Sequence, residues 1–286
     1  MFCRPGAVLI VCCALLAGER VASASGHGPM FGMTTPTNAA GGWAIDFGTM
    51  GRIGQPDNSA TSRTMLTFGI TEDLQVSGSV PYVFGSAPLA AARMTGMMPG
   101  GGDVEGLVAW RFHRQGTNVG ARFESTAYGG VIVPGPQKPA GVVGTFDRAA
   151  GLYTGAATGF ASRGTYVWVG AGYTRFAQTS VGDRRSSVVS YSAVWGYRPQ
   201  AMRKEYPHWD WRVFAEMTGE KSSAAEHFGA PMVGTDAHQV FIGPSVLGIY
   251  KNYAIQAGVQ LPAYRNAGGR VEEERFRYAT NFSYFF

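Results

Sequence analysis

Phe276-Arg-Tyr-Ala-Thr-Asn-Phe-Ser-Tyr-Phe-Phe286 ends the sequence. In an extended chain alternate side chains point to opposite faces, so Phe276, Tyr278, Phe282, Tyr284 and Phe286 share one face while Arg277, Ala279, Asn281 and Ser283 lie opposite. One face is therefore a stripe of aromatic surface too broad to leave in water. On a soluble edge strand such a stripe invites aggregation, whereas the last strand of a lipid-embedded barrel requires it.

The beginning of the chain agrees. Arg4 precedes an uncharged run over residues 7–18, which is followed by Glu19-Arg-Val-Ala-Ser-Ala24. The run is too short to span a bilayer and ends in an Ala22-x-Ala24 cleavage pattern, so residues 1–24 are expected to be a signal peptide. Val11 before Cys12 is too bulky for a lipidation site. Cys3, Cys12 and Cys13 all fall in the leader, leaving an exported chain with no thiol and no disulfide. Residues 25–42 are expected to form a periplasmic segment or a plug, and residues 43–286 the barrel.

Composition narrows the class further. Glycine supplies 41 of 286 residues, about twice the usual ~7%, without a collagen period. That density weakens helices but suits tight turns and small strand positions. No later stretch is long and apolar enough for a transmembrane helix. The formal charge of +5 is scattered, with no Lys/Arg run, which argues against a nucleic-acid partner.

Alternation and breakers together predict an all-β chain, a single antiparallel up-and-down barrel of twelve strands. The strands are expected at 43–52, 62–71, 74–82, 103–112, 118–131 and 151–161, then at 165–176, 187–197, 209–218, 238–249, 253–263 and 273–286. Most are about the ten residues that a tilted strand needs to cross a bilayer. The connections alternate. Residues 71–74, 113–117, 162–164 and 250–252 make tight turns, whereas 53–61, 83–102, 132–150, 177–186, 219–237 and 264–272 are longer. Short periplasmic turns, long external loops and an even strand count are the pattern of outer-membrane barrels. Residues 198–208 break it, being a long connection on the short-turn side.

Two sets of residues follow from the strand phases. The polar faces, turned inward, give lumen-lining candidates: Asp46, Arg52, Asp103, Glu105, Arg111, Arg122, Glu124, Asp210, Arg212, Glu216, Arg275 and Arg277. Charges of both signs at membrane depth must pair or be hydrated. On this topology Trp43, Trp110, Trp195, Trp209 and Trp211 fall with Phe286 at the periplasmic strand ends, and Trp168 lies nearer mid-strand. An indole is apolar but carries an N–H that wants water, so these residues are expected to form an interfacial girdle.

Candidates for chemistry are few. Met94, Met97 and Met98 lie in one external loop, and His27, Met30 and Met33 open the exported chain. Thioether and imidazole suit Cu(I), though methionine is also ordinary apolar filling. His113, His208, His227 and His238 are the histidines left for catalysis. The same-phase neighbours of His238 are Asp236 and Val240, with no serine to activate. No phosphate loop, zinc spacing or dinucleotide fingerprint occurs, so no cofactor and no enzymatic activity are expected.

The terminal pattern resembles bacterial outer-membrane β-barrel proteins, whose last strand ends in Phe after alternating aromatics. That resemblance implies outer-membrane lipid as surroundings and the barrel-assembly machinery as a partner, reading the strand that ends at Phe286. The segment Thr67-Phe-Gly-Ile-Thr-Glu-Asp-Leu-Gln-Val-Ser77 further resembles barrels of the meta-pathway phenol-degradation outer-membrane family. It implies a passive channel for small solutes, hydrophobic or aromatic ones included. The alternative is a non-conducting barrel, structural or copper-associated.

Overall fold

The protein is described from a computed structural model covering residues 28–55, 58–85, 103–118, 120–135, 149–203, 207–271 and 273–286. Twelve strands close into one antiparallel barrel. In the first half of the chain these are β1 (Trp43–Gln55), β2 (Ser59–Gly69), β3 (Leu74–Gly85), β4 (Val104–Asn118), β5 (Ala121–Val133) and β6 (Gly151–Ala161). The second half supplies β7 (Thr165–Phe176), β8 (Val188–Tyr197), β9 (Asp210–Ser222), β12 (Ala237–Tyr250), β13 (Tyr253–Ala267) and β14 (Glu273–Phe285). Between β9 and β12 a small hairpin, β10 (Glu226–His227) and β11 (Ala230–Pro231), stands apart from the barrel sheet. Each barrel strand pairs with its neighbours in sequence, and β1 pairs with β14 to close the ring. Closure removes the edges that open sheets must otherwise protect.

The seam is completed at the very end of the chain. Trp43 and Phe286 exchange backbone hydrogen bonds of 2.9 and 3.1 Å, and their rings stack with centroids 6.4 Å apart. Around the same rim Trp195 stacks on Tyr197, and Trp209 on both Trp211 and Tyr250. Tyr253 packs on Tyr284, which in turn meets Phe286. Trp110 and Trp195 are more than half exposed, the position of a ring meant for lipid or interface. Trp168 is inverted relative to these, 2% exposed and turned into the barrel.

The faces separate as a membrane barrel requires. Along β13 Tyr253, Ile255, Val259 and Leu261 are exposed while Gln256 and Gln260 are buried. Along β4 Val108 and Trp110 point out, and Glu105 and Arg111 point in. Apolar side chains outward and charged side chains inward is the reverse of a water-soluble sandwich. The protein is therefore an outer-membrane β-barrel.

Two of the expected connections differ, and the long one over residues 198–208 stands as expected. Residues 113–117 are not a turn: β4 runs on to Asn118 and β5 starts at Ala121, with irregular register at Arg111/His113 and Gly116/Asn118. Residues 53–61 are mostly strand, because β1 and β2 extend beyond their expected ends. The long connection after β8 contains a 3-10 turn, Gln200–Met202, and is tied down by Arg198 to Asp210 at 2.5 Å and by Arg203 Nη2 to the Arg163 carbonyl at 3.0 Å.

Candidate functional site

The lumen is not empty. Residues 28–42 precede β1, and 28–38 of them lie within the barrel, with Met30, Phe31, Met33, Thr35 and Thr37 all buried. Three successive backbone N–H groups, of Met30, Phe31 and Gly32, donate to the carboxylate of Glu216 at 2.8, 2.7 and 2.6 Å. The Ser245 hydroxyl donates to the same carboxylate. Glu216 reaches them because even-numbered residues of β9 face inward, and it sits at the centre of that strand. Met33 N donates to Ser192 Oγ at 2.9 Å, from the centre of β8.

The rest of the segment is held nearer the termini. Thr126 donates its hydroxyl to the Thr35 carbonyl at 2.6 Å, Trp168 Nε1 donates to Thr35 Oγ1 at 3.1 Å, and the Tyr128 hydroxyl donates to the Thr34 carbonyl. Gln75 accepts from Asn38 N at 2.7 Å, and Gln256 donates to the Gly28 carbonyl at 2.7 Å. Gln75 and Gln256 stand close to the starts of β3 and β13, so the segment rises to mid-barrel at Phe31–Met33 and turns back. Its apex fits where the wall lacks side chains. A Cβ on Gly258 would lie 2.6 Å from the Phe31 ring, and one on Gly170 would lie 2.7 Å from Met33 Cβ.

Met30 and Met33 face different walls. Met30 clusters with Phe31, Met50 and Ala279, and Met33 with Leu107, Tyr153 and Ala157, the Tyr153 hydroxyl lying 3.9 Å from its sulfur. His27, Met94, Met97 and Met98 lie outside the described residues.

The charged candidates form paired sets around the inserted segment. Toward the termini Glu124 meets Arg111 at 3.0 Å and Arg122 at 2.9 Å, and Arg111 also reaches Asp73 at 2.7 Å. Asp210 lies between Arg198 at 2.5 Å and Arg212 at 3.3 Å. Asp46 accepts from Asn281 at 3.1 Å and from Ser283. Toward the external loops Arg52 meets Glu274 at 3.0 Å. Arg277, fully buried, holds Glu220 at 2.8 Å as well as Glu274, with its guanidinium 3.5 Å from the centre of the Phe241 ring. On the other side Glu105 meets Arg63 at 3.6 Å, and Asp103 meets Arg185 at 2.5 Å.

Arg275 is a correction. It is exposed, and Glu274 takes the inward place expected for it. The cause is an irregularity between β1 and β14, where Ile53 pairs with Phe276 but Gly54 pairs with Glu274, so one residue of β14 is left over and the phase flips. Arg63, Arg185, Glu220 and Glu274 were missed. Glu220 could have been found by continuing the even phase of β9 beyond its expected end at Thr218. Arg185 comes from a loop, for which no periodicity exists.

Not every inward group has a partner. Arg52 Nη2, Gln239 Oε1 and Gln260 Nε2 are buried and unpaired with any protein atom. In a wall of this polarity such atoms are satisfied by water.

An outer membrane channel from Pseudomonas putida F1 is similar in structure at a TM-score of 0.62 and 11% identity, over 88% of this chain and 98% of that one. The NanC porin is similar at 0.51 and 10% identity, over 84% and 98%. At these identities the likeness is one of fold. No family model and no curated protein matches the sequence. Both similar barrels are covered nearly end to end.

Proposed function

We propose that the protein is a passive outer-membrane channel for small solutes whose periplasmic half is occupied by its own residues 28–38. One observation carries the reading: the segment is fixed by hydrogen bonds to lumen side chains and is not a strand of the sheet, so it can leave without breaking the wall. The unpaired polar atoms of the external half support a hydrated path above it. The names of the similar barrels, a channel and a porin, support the same class.

For the kind of solute, Tyr166, Trp168 and Phe214 turn their rings inward and stack in the periplasmic half, Tyr166 and Trp168 at 5.5 Å. These rings and the turn Gly69-Ile-Thr-Glu-Asp-Leu74 favour hydrophobic or aromatic solutes, as the resemblance to phenol-degradation barrels implies. The strand ending at Phe286 closes the seam and is the segment offered to the assembly machinery. A non-conducting barrel is the second reading, favoured by the number of hydrogen bonds that hold the insert.

Single-channel recording in planar bilayers separates the two. The intact protein is expected to give small openings, and the protein lacking residues 28–38 larger ones. No openings above baseline from either form would establish the closed barrel. The copper variant of the second reading predicts that Cu(I) affinity falls when Met94, Met97 and Met98 are changed to Leu.

A further inference from the structure

The lipid-facing wall of β4 to β7 is not uniformly convex. It contains a concavity of about 820 Å³, within the size range of ligand sites. Gly106 and Gly129 form its floor, since outward positions without side chains lower the surface there, and a Cβ added to Gly129 would touch nothing. Val108, Val131, Leu152 and Tyr173 rise around that floor, all of them exposed on the outer face. The lining is mostly apolar, with Ser77, Thr154 and Arg175 as its polar members.

One cation borders it. Arg175 is in register with Leu152 and is the last residue but one of β7, at the end of the barrel away from the tryptophan rim. It is exposed, and among the described residues its guanidinium has no carboxylate or hydrogen-bond partner. The next inward residue, Phe176, is instead covered by Arg185, which is paired with Asp103. A guanidinium at the external end of a lipid-facing wall lies at the level of the headgroups, where water or an anionic headgroup meets it at low cost. Its planar fork matches phosphate, and the apolar trough beside it matches an acyl chain.

We propose that this groove binds lipid A of the outer leaflet, an acyl chain lying over Gly106 and Gly129 and a phosphate held by Arg175. Lipid A is chosen over a phospholipid because Arg175 stands at the external end of the wall, where the outer leaflet of an outer membrane presents phosphorylated glycolipid. The proposal depends on the barrel's placement in that membrane and not on whether it conducts.

Native mass spectrometry of the full protein in mild detergent tests it, with bisphosphorylated lipid A, the same lipid without phosphates, and phosphatidylglycerol as probes. Lipid A should be retained, and Arg175→Ala should weaken retention roughly ten-fold, the loss of one charge-assisted contact. Gly129→Leu, whose Cβ would meet nothing, should weaken retention of lipid A with or without its phosphates. Conductance of both variants should stay that of the unaltered protein. Retention of lipid A unchanged in both variants would overturn the proposal. So would phosphatidylglycerol bound as tightly as lipid A by the unaltered protein.

Discussion

Glu216→Ala should release the inserted segment while leaving the barrel closed. The carboxylate accepts three backbone N–H groups and the Ser245 hydroxyl, and among the described residues it is the acceptor of all three amide protons. A hydrogen bond to a charged group contributes about 1.5–3 kcal/mol, and an orphaned buried donor costs about 1–3 kcal/mol. Water can enter a polar lumen and recover part of each, so about 1 kcal/mol per amide is the defensible figure, or about 3 kcal/mol in all. At ~1.4 kcal/mol per factor of ten, the population of the undocked segment should rise by roughly two powers of ten. Glu216→Gln keeps one acceptor oxygen without the charge and should fall between. The sequence has no cysteine after Cys13, so in protein made from residue 25 onward Met30→Cys gives a single thiol at the buried apex. Its modification rate by a water-soluble maleimide, measured in liposomes with and without Glu216→Ala, reads the undocked fraction. A rate that Glu216→Ala leaves unchanged would show that the carboxylate does not hold the segment.

Three further outcomes follow from the wall. Arg277→Ala strands Glu220 in a buried site and leaves Glu274 to Arg52 alone, and should cost about 3–5 kcal/mol, lowering the temperature at which the folded gel band is lost. Arg275→Ala should shift that temperature hardly at all, within about 0.5 kcal/mol, since the side chain is exposed, whereas Glu274→Ala should shift it strongly by unpairing Arg52 and leaving Arg277 to Glu220 alone. Val169 faces lipid near mid-strand on β7, and Val169→Arg should destabilise by about 2–4 kcal/mol in urea titrations in liposomes.

The barrel was legible because its cause is local. A period of two, repeated at membrane-crossing length, fixes both the strand and its facing, and all twelve strands lie where alternation places them. Strand ends were less legible: β4 and β5 continue past 113–117 because polar residues can extend a hairpin beyond the lipid as easily as they can end it. Arg275 was misplaced because an irregularity in register is set by the partner strand, and no feature of Glu273-Glu-Arg275 announces it. The insert was harder still. Residues 28–42 carry no period, and their partners, Glu216, Ser192 and Gln75, are spread over three strands far away in sequence. The carboxylate itself could be placed in the lumen from its phase, but what it binds is decided by closure.

That the insert is docked through its backbone has a consequence for its reversibility. Had Phe31 and Met30 alone held it, by apolar contact with Met50 and Ala279, release into a hydrated lumen would expose that surface with nothing to offset the loss. The amides bonded to Glu216 behave differently, because each N–H and the carboxylate can exchange one another for water and keep most of the enthalpy. The docked and free states therefore differ by a small remainder of large opposing terms. A charged acceptor at the centre of β9 sets that remainder together with the burial of Met30 and Phe31. The carboxylate of Glu216 is thus the residue on which a change in the lumen, through a solute's own hydrogen-bond donors, would act first.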